Sequence, residues 1–177
     1  MWTVEDLELW MLAKMRAPRV ASALAQVGSS TDQMKRTAAV LGAVFDKPGH
    51  AAAEYRRILG PPRATHPGTT TGTFAGSLRH EYALPLWPDV AFIVNEHPDG
   101  YAWGFGFEGG SASLPADLGS LEPWHWTAER LRRDALDIEI LEEWSFDLEA
   151  NLTFANGARF HATFDLGLLQ SWQRAGR

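Results

Sequence analysis

Residues 136–154 read LDIEILEEWSFDLEANLTF, and the fold turns on this stretch. From Leu136 to Phe154 the even positions are almost all apolar, Glu142 being the exception. The odd positions from Asp137 to Thr153 are polar apart from Leu141. Successive side chains on a strand point to opposite faces, so the alternation predicts β structure with one buried face. Nineteen residues exceed an ordinary strand, which places a break or bulge near Glu142. Asn156-Gly157 follows as a hairpin signal. Beyond it Phe160, Ala162 and Phe164 continue the apolar face while Arg159, His161 and Asp165 face away. The expectation is an antiparallel sheet.

Working upstream, 126–135 predicts a short helix carrying Arg130, Arg132 and Arg133, preceded by a Gly/Ser-rich loop over 109–120. Strands are expected over 78–84 and 90–95, interrupted by Pro85 and Pro88, and again over 101–107. His97-Pro98-Asp99-Gly100 between the last two is a turn sequence. Residues 1–62 read as helical. Thr3 with Asp6 forms an imperfect capping box before the apolar positions Leu7, Trp10, Met11 and Met15. A second helix begins near Pro18 and ends at Gly28. A third is capped by Ser30 or Thr31, carries Met34, Leu41 and Phe45, and ends at Lys47-Pro48-Gly49. A fourth, 51–59, closes at Gly60. The fold class is therefore α+β: a single domain, 1–177, with an N-terminal helical layer (1–62) packed on a C-terminal antiparallel β-sheet (63–177).

Composition narrows the function. The chain has 177 residues, 45% apolar and 21% charged, which excludes whole-chain disorder and a collagen-like repeat. With no cysteine, thiol catalysis, thiolate metal sites and disulfides are excluded. The acidic start and the lack of a long apolar run point to a soluble, cytoplasmic protein without membrane contact. No GxSxG, GxxxxGK[ST] or GxGxxG motif occurs, and none of the six histidines has metal-ligand spacing, so no cofactor or metal is expected.

Charge is unevenly placed. Residues 1–63 hold nine Lys/Arg and six Asp/Glu, or +3; the remainder holds seven Arg and sixteen acids, or −9, and the two sum to −6. Asp137, Glu139, Glu143, Asp147 and Glu149 form a row of like charges on the polar face of 136–154. Such a row is either a solvated face that discourages edge pairing or a docking surface for a basic partner. Pairing with Arg159 and the arginines of 130–133 would leave little net field.

Two other readings stand beside it. His80, Trp103, His125 and Trp126 suggest a ligand cleft or a small enzyme, since eight tryptophans are many for this length. A packed core histidine and Trp plugs under long loops are the structural alternative. The segment 19–41 has the outline of a helix-turn-helix, with Ser30, Thr31, Gln33, Lys35 and Arg36 facing DNA, but without the dense basic face of nucleic-acid binders. Small, acidic, cysteine-free and without a catalytic signature, the chain is similar in general profile to bacterial toxin-neutralising immunity proteins, antitoxins and other protein inhibitors. That resemblance implies a non-enzymatic inhibitor of a basic partner, such as a nuclease or toxin, held at the acidic sheet face.

Overall fold

A computed structural model describes residues 2–16, 19–47, 49–68, 72, 75–110, 113–144 and 147–175. Pro18, Pro48, Ser145 and Phe146, each used in the sequence reading, lie outside these residues. The chain divides into two compact units, Met1–Leu86 with Phe92–Phe105, and Trp87–Ala91 with Gly106–Arg177.

In the first unit, helix α1 (Val4–Leu12) starts where the sequence places it: Thr3 and Asp6 complete a reciprocal capping box. Helix α2 spans Val20–Gln26. Ser30 caps α3 (Thr31–Phe45) by accepting from the Gln33 amide. Helix α4 (Ala52–Leu59) stops at Gly60, whose φ of 77° suits a residue without Cβ. A sheet follows, ordered β1 (Ala64–Pro67), β2 (Leu78–Leu84), β3 (Trp87–Glu96) and β4 (Ala102–Glu108); Trp87–Ala91 at the start of β3 and the residues of β4 from Gly106 count with the second unit. Strand β3 runs through Pro88, which sits at the second residue of the strand, where a missing donor is tolerated. Five consecutive buried residues, Val90–Val94, mark β3 as covered on both faces.

The helices find their partner here. Trp10 of α1 lies 5.3 Å from both Phe45 of α3 and Phe105 of β4, while Tyr55 of α4 contacts Phe92 of β3 at 5.9 Å. Glu8, buried on α1, accepts the Leu86 amide at 2.8 Å.

The second unit carries a second four-stranded sheet, β5 (Asp137–Trp144), β6 (Asp147–Thr153), β7 (Arg159–Asp165) and β8 (Leu168–Arg174), in sequential antiparallel order. Thr127 caps α5 (Ala128–Asp134). Leu148, Ala150, Leu152, Phe160, Ala162 and Phe164 form one buried face, packed with Leu118, Trp126 and Leu131 of the same unit. Gly157 (φ 77°) turns β6 into β7, and Leu166-Gly167 (φ 51° and 82°) turns β7 into β8.

The α+β class stands, but the arrangement of one N-terminal helical layer on one C-terminal sheet is corrected. The described residues form two sheets. Helices α1, α3 and α4 pack with the first, through β3 and β4, and the second sheet has a core of its own. The reason is β3: a fully buried run gives the helices a surface that alternation in 136–154 alone did not reveal.

Candidate interaction edge

The expected break in 136–154 occurs twice. Strand β5 ends at Trp144 and its antiparallel partner β6 starts at Asp147, and a bulge interrupts their pairing between Ile140 and Glu142. A bulge sets two residues against one, so it inverts which face the later residues occupy. Before it, Asp137 pairs with Thr153 and Glu139 with Asn151, on the polar face; Ile138 and Ile140 oppose the core residues Leu152 and Ala150. After it, Glu143 opposes buried Leu148, whereas Glu142 and Trp144 oppose Glu149 and Asp147.

Two assignments change as a result. Glu143 leaves the acidic row and Glu142 takes its place. Trp144, at an even position and so expected among the buried residues, is instead 80% exposed. With Leu136 (75%), Leu141 (50%) and Ile140 (49%) it makes four of the six large apolar side chains that stand exposed among the described residues, all within nine positions. Strand β5 is also the outermost of its sheet, so among the described residues one of its backbone edges has no strand partner. The signal was present in the sequence: Ile140-Leu141 followed by Glu142-Glu143 breaks strict alternation twice.

The acids of the row are largely engaged within the unit. Glu139 accepts from Asn151 at 2.7 Å and pairs with Arg159, and these two partners hold its carboxyl below the ordinary range. Glu143 pairs with Arg132 of α5 at 2.6 Å, Glu149 lies 3.4 Å from His161, and Asp147 accepts the Leu166 amide at 2.7 Å. Among the described residues, Asp137 and Glu142 have no such partner. Beside the end of β5, Glu143 and Leu148 join Phe107, Glu108, Glu129 and Arg132 around an open groove of about 280 Å³.

The four cleft residues are divided between the units, His80 and Trp103 in the first, His125 and Trp126 in the second. Trp126 is a buried core residue, and the half-exposed His125 sits 3.8 Å from both Asp89 and Glu122. His80 is buried on β2 in a polar cluster that sequence reading missed. Its Nε2 lies 2.6 Å from Glu96 of β3 and its Nδ1 lies 3.0 Å from the hydroxyl of Thr65, its register partner on β1. Arg56 of α4 grips the same carboxylate through both terminal nitrogens. Burial alone would raise the Glu96 carboxyl, but the hydrogen bonds from Arg56 and His80 outweigh it and hold it below the usual range. An ionised Glu96 only accepts, so in the neutral imidazole Nε2 carries the proton and Nδ1 accepts from Thr65.

A pH dependence follows. A carboxyl whose folded pKa is lowered adds stability above its unfolded pKa and loses it as pH falls through the lowered folded value. In denaturant melts between pH 7 and pH 3, the wild type should lose stability more steeply than Glu96→Gln; parallel curves would remove Glu96 from the account.

On α3, Thr31, Gln33, Lys35 and Arg36 are exposed, as a recognition helix would require, but Lys35 and Arg36 are its only cations and Asp32 opposes them. No helix among the described residues is long and apolar enough to cross a membrane. No known protein family, curated protein or solved structure matches this chain.

Proposed function

We propose that the chain is a non-enzymatic protein-binding module of the inhibitor type, which captures a basic protein at the β5 side of its second sheet. The observation that carries this reading is the concentration of exposed Ile140, Leu141 and Trp144 on an edge strand, with exposed Leu136 just before it. Exposed apolar clusters rimmed by polar groups mark interaction sites, and aromatic anchors dominate their energetics. Asp137 and Glu142 supply charge with no internal cation, which favours a Lys/Arg-rich partner and speeds its encounter.

The acids to test are therefore these two. Reversing Glu139 or Glu143 would also break the pairs with Arg159 and Arg132, mixing a folding defect with a binding defect. Wild-type and Asp137→Lys/Glu142→Lys baits are compared in pull-downs from source-cell lysate, with mass spectrometry of the bound species. A stoichiometric basic protein held by the wild type and lost by the variant is expected. Equal retention by both baits, or no specific protein on either, overturns the reading.

One arrangement supports a second, enzymatic reading: the exposed Thr65 hydroxyl hydrogen-bonded to His80, itself oriented by Glu96. In this reading Thr65 Oγ1 attacks an ester carbon while its proton passes to His80 Nδ1. That proton then protonates the departing alkoxide; His80 next takes a proton from water as its oxygen attacks the acyl carbon, and returns it to Thr65 Oγ1 as the carboxylic acid leaves. Incubation with p-nitrophenyl acetate should acetylate Thr65, detectable by intact mass, in the wild type and Thr65→Ser but not in His80→Gln. An unmodified wild-type chain excludes it.

A further inference from the structure

We infer that the partner adds an extended segment to the free edge of β5 as a further strand, with alternating apolar and basic side chains; this rests on the protein-binding reading above. Among the described residues no strand pairs with the outer edge of β5, and strand addition satisfies such an edge through main-chain hydrogen bonds. Side chains of an added strand alternate between faces. On the polar face it meets Asp137, Glu142 and Trp144, which suits Lys or Arg over carboxylates with an aliphatic stem against the indole. On the opposite face it meets Ile140, and Leu141 of the bulge stands half exposed beside it.

The groove at the end of β5 sharpens the choice of partner. Three carboxylates, Glu108, Glu129 and Glu143, line it against one guanidinium, Arg132. Its volume of about 280 Å³, just under the ~300–1,000 Å³ of small-molecule pockets, is large enough to admit a long side chain. A Lys or Arg of the added strand fits this charge and this space.

A second copy of the chain is the competing occupant, and charge argues against it. Antiparallel pairing of β5 with itself about its centre sets Glu139 against Glu142 twice and gathers Asp137 and Glu143 of both copies on the same seam, and like charges placed opposite one another destabilise a sheet.

The test uses the full chain and a synthetic peptide of alternating Val and Lys as long as β5. Binding is followed by the amide resonances of 137–144 and by titration calorimetry. The peptide should perturb those amides and bind at least about tenfold more tightly than the same peptide N-methylated at alternate amides, and than a Val/Glu peptide. Asp137→Lys/Glu142→Lys should lose binding by a similar factor. Binding indifferent to N-methylation overturns strand addition while leaving capture of a basic protein standing. Shifts confined to residues outside 132–148 overturn it too, as does a concentration-dependent dimer whose β5 amides shift with self-association. Failure of both this test and the lysate comparison removes the protein-binding reading itself.

Discussion

Gly167→Ala is expected to cost the second unit about 3 kcal/mol or more, from a bad backbone conformation and a backbone collision together. Gly167 sits at φ 82° in the turn from β7 to β8, a region that residues with a Cβ seldom adopt. A Cβ placed there would stand 2.5 Å from the Phe107 carbonyl oxygen and 3.4 Å from its nitrogen. Neither atom can retreat cheaply, because the Phe107 amide donates to Leu166 at 2.7 Å in the same turn. Gly157 provides the control: its φ is 77°, but a Cβ there meets nothing within 4 Å. Gly157→Ala should therefore cost only the conformational part, about 1–2 kcal/mol. Denaturant unfolding of the two variants separates collision from conformation. Equal losses would mean that Phe107 and Gly167 do not approach as described.

The second large effect is on binding. Replacing Ile140, Leu141 and Trp144 with serine should leave the chain folded at a cost of no more than about 2–3 kcal/mol, since Ile140 and Leu141 are half exposed and Trp144 is 80% exposed. Binding of the basic partner should nevertheless fall by at least about thirtyfold, the equivalent of one aromatic hot spot of about 2 kcal/mol. A retained fold with lost binding separates an interaction surface from a packed one. If the triple variant instead unfolds easily, these residues support the sheet and the docking site lies elsewhere.

Most local structure was legible in the sequence because its causes are local. Thr3 with Asp6, Ser30 and Thr127 cap helices through neighbours three residues away, and Gly60 and Gly157 end elements by adopting positive φ. The apolar face of β6 and β7 follows directly from period-two patterning. What escaped was non-local. The hairpin over 90–107 was legible, but its membership of a separate sheet packed with the helices was not, because a doubly buried strand shows no alternation. The His80 cluster gathers Thr65 and Glu96, fifteen and sixteen residues away, with Arg56 on α4. Nothing in the local pattern announces such a meeting. The acidic row was half legible: its strand and polarity were clear, but one inserted residue at Leu141 exchanged Glu143 for Glu142 and turned Trp144 outward. The residues that now define the candidate edge come from that irregularity.

In the function proposed above, a partner docks on the free edge of β5. Residue-resolved amide hydrogen exchange tests it most directly, on the chain alone and in complex with the basic protein that it captures. The account predicts that amides of 137–144 on the unpaired edge exchange readily in the free protein and slow by at least about tenfold in the complex. Protection appearing on α3 or around His80, with β5 unchanged, would contradict it.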